Sequence, residues 1–194
     1  MKKLRESKGM SMVEVLAATV VLVLLALVMD VGLKMNKESY IRITEQNEAE
    51  LLLSTAVDAV YNELRSARDV YGDFSVSPVV IKYKSFNYGE LDGSGNYINN
   101  ILKSDSSTAG QLQVCYEGNP SGITPKSLLP TAAYGAGGKY KVELSLDSPD
   151  FTNNYITFNV AVKDEDGNTI VSTVNPDDPS FTGVKVHWLN VDDT

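Results

Sequence analysis

The sequence predicts an α+β chain. One long N-terminal helix, transmembrane in its first half and amphipathic in its second, packs on a mostly antiparallel β-sheet. Three observations predict this. Residues 10–29 form a 20-residue apolar run that holds one carboxylate, Glu14. Ala49, Leu52, Leu53, Ala56, Val57, Val60, Leu64 and Ala67 recur at three- and four-residue steps, the period of a helix with one buried stripe. After about residue 73 the apolar period drops to two, as in half-buried strands. The expected segments are a basic head over residues 1–9, a membrane helix over 10–30, its extracytoplasmic continuation over 31–72, and a β-rich body over 73–194.

Charge is spread unevenly along this plan. Lys2, Lys3, Arg5 and Lys8 against Glu6 give +3 in the first nine residues, which leaves −11 for the rest of a chain of formal net charge −8. An acidic body repels nucleic acid and anionic lipid at long range, so neither is an expected partner of the body. The single cysteine, Cys115, has no second cysteine to bridge to within the chain. It lies in the alternating run LQVCYE and is expected to be a buried strand thiol.

As a helix, the first apolar run spans ~30 Å, about one hydrocarbon core. Ten of the residues from Val15 to Val28 are Leu or Val, and together they favour insertion by roughly 3–6 kcal/mol. A carboxylate near the end of the run costs less than the ~3 kcal/mol of a central one, so insertion succeeds with Glu14 in place. The basic head is expected to stay cytoplasmic and to send the chain beyond Asp30 outside. No A-x-A pattern follows the run, which argues against a conventional secretory signal. A plain signal anchor accounts for the length and the positive flank, but leaves Glu14 as an accident of the headgroup boundary.

The head MKKLRESKG ends at Gly9, Met10 follows, and Glu14 is the fifth residue counted from Met10. In this, and in the stretch SMVEVLAA, the chain resembles type IV pilins and pseudopilins over about its first 30 residues. The resemblance implies a prepilin leader over residues 1–9, cut between Gly9 and Met10 by a prepilin peptidase, with N-methylation of the new terminus. It also implies assembly through the N-terminal helix on an inner-membrane platform, with other pilin subunits as partners and the lipid bilayer as host before assembly. Glu14 would meet the terminal amine of a neighbouring subunit. The family usually has phenylalanine after the cut, where this chain has Met10.

Physical chemistry gives that spacing a purpose. Glycine before a scissile bond lets an extended backbone enter a protease cleft, and cutting there creates an amine at the membrane edge, about one helical turn from Glu14. Opposite charges 4 Å apart interact by about 4 kcal/mol at an effective dielectric of ~20, before desolvation is subtracted. Such a pair fixes register between apolar helices that otherwise slide. Many major pilins carry a proline near residue 30 after an isoleucine-rich run; this chain has neither, which points to a minor pilin.

Residues 34–47 carry a weaker stripe and suit a stalk. In the body, PVVIKYKSF, QLQVCYE, KYKVELSL, YITFNVAV, TIVSTV and GVKVHWLNV read as strands, with KDEDGNT as a hairpin turn between the fourth and fifth. Five or six strands with one apolar face need a cover, and the helix stripe supplies it. Residues 87–110 and 117–138 are rich in Gly, Ser, Pro and Asn and are expected to be long surface loops.

No cofactor and no catalytic site are expected. His187, the only histidine, is expected to face outward from the last strand, and no nucleophile elbow or metalloprotease helix occurs. Calcium is the one ion to weigh: Asp164, Asp166 and Asn168, with Asp177 and Asp178, offer oxygens of the kind some pseudopilins use. The strict EF-hand order is absent, and a solvated turn is the expected state. Two functions follow. One is a filament subunit processed at Gly9–Met10; the other is an uncleaved, single-pass anchored domain that binds a ligand outside the cell.

Overall fold

The computed structural model describes residues 11–73, 79–105, 110–118, 120–147, 149–174 and 183–188. Helix α1, Met12–Arg65, runs 54 residues without a break, through Gly32 included. The chain divides into two units, Met1–Glu45 and Gln46–Thr194, and α1 contributes to both.

In the first unit, α1 is long and apolar enough to cross a membrane, and none of its most apolar stretch is buried by the protein itself. Asp30 and Lys34 pair at 2.8 Å across one turn just past that stretch, the favourable acid-before-base order on a helix.

In the second unit, Ala49, Leu52, Ala56, Val60 and Leu64 of α1 enter one apolar core with two antiparallel sheets. The first sheet has the order β1–β2–β3–β4–β5: β1 Arg68–Asp73, β2 Val80–Lys84, β3 Asn100–Asp105, β4 Gln111–Tyr116 and β5 Lys126–Ser127. Its inward residues include Ile81, Tyr83, Leu102, Leu112, Val114 and Tyr116.

The second sheet holds β6 Lys141–Leu146, β7 Tyr155–Lys163, β8 Thr169–Ser172 and β9 Val184–His187. Phe158 pairs with both Leu146 and Val184, and Val162 with both Val142 and Val171. Hence β8 and β9 lie end to end along one side of β7, with β6 along the other. Ile156, Phe158, Val160, Val162, Val186 and Trp188 face the core.

The two sheets are joined at β6. The Val142 N–H donates to the Gly110 carbonyl at 2.8 Å, and the Leu144 N–H to Ser104 Oγ at 3.3 Å. Gly110 has φ +67°, and a Cβ there would lie 2.6 Å from Cβ of Lys141, so close approach demands glycine.

The α+β arrangement is as the sequence predicts, with three differences. The apolar strands form two sheets rather than one. Helix α1 ends at Arg65, short of residue 72, because β1 begins at Arg68 and pairs with β2. The stretches expected as long loops carry structure. Residues 87–110 contain β3, and residues 117–138 contain β5 and two short 3-10 turns, Thr131–Tyr134 and Ala136–Gly138. Leu128 N–H bonds to the Leu112 carbonyl at 3.0 Å, and the Tyr134 hydroxyl accepts the Leu112 N–H at 2.8 Å, which ties the second stretch to β4.

The core also buries polar groups. Glu63 of α1 is 1% exposed. It accepts the Tyr83 hydroxyl at 3.0 Å and the Asn87 amide at 3.4 Å. Burial, followed by the charge of Glu63, pushes the Tyr83 hydroxyl well above the usual tyrosine range. Fully buried Asn100 accepts the Ser85 N–H at 3.2 Å and donates to the Tyr88 carbonyl at 3.1 Å. These bonds satisfy groups that would otherwise be costly to bury, and they pin residues 85–88 to the sheet and to α1.

Glu117, at the end of β4, gathers the first sheet's surface. Its carboxylate accepts Lys82 Nζ at 2.5 Å, the Asn99 amide at 2.7 Å and the Tyr71 hydroxyl at 3.3 Å. The Lys82 bond, then the Asn99 bond, hold it below the usual glutamate range. A carboxylate lowered in the folded state stabilises it above the unfolded value, about 4.3, and that contribution fades as pH falls through the folded value. Glu117→Gln is therefore expected to lower the urea midpoint at pH 7 and to differ less from the parent at pH 3, as measured by fluorescence of the single tryptophan. An equal difference at both pH values would contradict the charge pairing.

Candidate functional site

The start of α1 is built from its first four described residues. Ser11 precedes the first helical residue, and its Oγ accepts the Glu14 N–H at 3.3 Å. Glu14 reaches back, and its Oε2 accepts the Ser11 N–H at 2.9 Å. This reciprocal pair is a capping box: the Glu14 carboxylate satisfies the Ser11 N–H, and the Glu14 N–H is shared between the Ser11 hydroxyl and the Ser11 carbonyl, the latter at 2.9 Å. The Glu14 carboxylate also sits at the positive end of the helix dipole, where an anion is favoured.

Ser11 has a part in the site that the sequence reading missed. Its signal was in plain view as S-x-x-E ahead of an apolar run, the spacing of a capping box. Glu14 lies in the first turn of α1 and is exposed. Gly9 and Met10, the expected processing pair, lie outside the described residues.

On either side of Glu14, Val13, Leu16, Val20, Val21, Leu24 and Leu27 are all more than half exposed on the isolated chain. The polar group within this stretch folds back on its own backbone: Thr19 Oγ1 donates to the Leu16 carbonyl at 2.8 Å. Only a lipid interior or the apolar helices of other molecules can cover such a surface. Chemically, the segment can insert, and it presents one carboxylate at its tip with Oε2 engaged locally.

The calcium candidates separate. Asp164, Asp166 and Asn168 lie in the turn between β7 and β8. There Asp164 accepts the Asn168 backbone N–H at 2.7 Å and its side-chain amide at 3.0 Å. These bonds hold the Asp164 carboxyl below the usual range and spend both of its oxygens on closing the turn. Asp177 and Asp178 lie outside the described residues. Among the described residues, no group of three or more His, Cys, Asp or Glu side chains is placed to hold a metal ion.

His187 is exposed on β9 with its ring 5.7 Å from that of Tyr155, as an outward strand position requires. Cys115 is half-buried on the outer face of β4, less enclosed than the expected buried thiol, because Leu112, Val114 and Tyr116 take the inner face. No protein-family model, curated protein or solved structure matches the chain.

Proposed function

We propose that this chain is a structural subunit of a type IV pilus or pseudopilus, minor-pilin-like, and not an enzyme. It is held in the cytoplasmic membrane with its N-terminus inside, processed between Gly9 and Met10 by a prepilin peptidase, and then packed through α1 into a filament at the cell surface. Other pilin subunits and the inner-membrane assembly platform are its partners. The observation that carries the reading is the exposed apolar first half of α1 with a single carboxylate, Glu14, at its start. A surface of this length must be covered, and a lone acid in it favours a cationic partner at that depth.

The alternative is an uncleaved single-pass anchor that displays the β-rich body outside the cell. It leaves the preceding glycine without a task and gives Glu14 only that of closing the cap with Ser11. Mass spectrometry of the N-terminal peptide from native membranes separates the two. The expected result is a chain that begins at methylated Met10; recovery only of chains that retain MKKLRESKG would replace the filament with the anchor.

A further inference from the structure

We propose a body-to-body contact between copies of this chain: the cavity around Arg68 on one copy receives the acidic β7–β8 turn, Glu165 and Asp166, of the next. The inference deepens the subunit reading and rests on it. The cavity, of about 220 Å³, is lined by Arg68, Asp69, Lys84, Ser85, Phe86 and Tyr97. It is smaller than the roughly 300–1,000 Å³ of sites for drug-sized ligands, so it suits one or two side chains.

Its walls are built by an irregularity. Between Arg68↔Lys84 and Tyr71↔Lys82, β1 advances three residues while β2 advances two, a bulge that re-aims the side chains at the end of β1. Asp69, within it, has φ +47°, a left-handed conformation uncommon outside glycine. The bulged Asp69 carboxylate meets Lys84 Nζ at 2.5 Å. That leaves Arg68, exposed and without an ion-pair partner among the described residues, as the cation the cavity offers. Phe86 and Tyr97 beside it are 76% and 60% exposed. Exposed aromatic rings around an arginine are the composition that protein interfaces concentrate at their centres.

The complement lies on the second sheet. Asp164 closes the β7–β8 turn through Asn168, and Lys141 Nζ donates to the Glu165 carbonyl at 2.7 Å, so the tip is fixed before it meets anything. Glu165 and Asp166 are exposed there, with no side-chain ion pair among the described residues. A preformed acidic tip loses little entropy on docking, and a guanidinium accepts a carboxylate with two parallel bonds. Cavity and tip are different surfaces of one body, so in a filament one copy's tip seats in the next copy's cavity head to tail, a heterologous union. An acidic body that repels its own copies at random orientations is drawn into this one.

The test places photoreactive p-benzoylphenylalanine at Phe86 of the full chain and irradiates native membranes. The expected product is an adduct of two copies whose linked peptide maps to residues 164–168. Arg68→Glu should lower its yield about tenfold, and Glu165→Arg with Asp166→Arg on the same chain should restore it. Absence of a two-copy adduct in chains with unchanged tryptophan fluorescence overturns the contact. So does an adduct that maps to another segment, or to a glycan, a nucleic acid or a different protein. N-terminal mass spectrometry on the same sample keeps the two readings apart. Methylated Met10 without the adduct removes the contact alone, and the adduct on chains that retain their leader removes the pilus reading alone.

Discussion

Truncation of Phe158 to alanine is expected to destabilise the body by about 3–5 kcal/mol and, at roughly 2–4 °C per kcal/mol for a domain of this size, to lower its thermal midpoint by about 6–20 °C. Phe158 is fully buried in the middle of β7, the strand to which β6, β8 and β9 are all attached. Its backbone pairs with Leu146 on one side and Val184 on the other, so the surrounding strands cannot collapse into the space a lost ring leaves. A body stable by about 5–15 kcal/mol loses a large fraction of that margin. The reporter is built in: Trp188, the only tryptophan, is 6% exposed and stacks edge-on against Phe151 at 5.9 Å. Its fluorescence should follow the loss of the core in the full chain held in detergent. A midpoint lowered by less than about 3 °C would mean that β7 is not the strand on which the second sheet depends.

The strands legible in the sequence were those whose inward residues are uniformly apolar. In β4, Leu112, Val114 and Tyr116 alternate with Gln111, Gln113 and Cys115, and in β7 four apolar residues alternate without a fault. β3 escaped because one of its inward positions is Asn100, fully buried yet amide-bearing, and an alternation test counts it as a loop residue. Its burial rests on partners 12 and 15 residues away, Tyr88 and Ser85, which no local pattern contains. β1 escaped for a related reason. Its bulge breaks the period at Asp69, and the helical stripe runs on to Ala67, which is buried in the same core although the helix ends at Arg65. Glu63 shows the limit from the other side: a glutamate on the apolar stripe looks like a solvated face until Tyr83 and Asn87 are folded against it. At the N-terminus the sequence located Glu14 from its rarity in an apolar run. The task of Ser11 is equally local: its hydroxyl and the Glu14 carboxylate, three residues apart, close on each other's backbone N–H.

Glu14→Ala is expected to leave membrane insertion intact and to reduce incorporation into filaments at least about tenfold, the equivalent of 1.4 kcal/mol. The capping box makes this substitution ambiguous by itself, since it removes both the charge and the bond to the Ser11 N–H. Two further variants separate the effects. Ser11→Ala deletes the hydroxyl half of the cap, worth about 1 kcal/mol of helix stability, and leaves the carboxylate. Glu14→Gln retains a side-chain oxygen that can close the box and removes the charge. If the carboxylate serves only to begin the helix, Gln should behave as the parent, and Ser11→Ala should be the more damaging of the two. If it pairs with the amine of an adjoining subunit, Gln should fail as Ala does, because a neutral amide next to an ammonium in apolar surroundings replaces an ion pair with a buried, uncompensated cation. Ser11→Ala should then assemble nearly as the parent does, since the apolar face and the charge both remain. Insertion should not discriminate among the three: the ten Leu and Val residues from Val15 to Val28 supply roughly 3–6 kcal/mol, more than any change at residue 11 or 14 removes. Quantitative immunoblotting of sheared filaments against the membrane fraction reads both quantities at once. Normal incorporation of the Gln variant would end the pairing role and leave Glu14 as a cap.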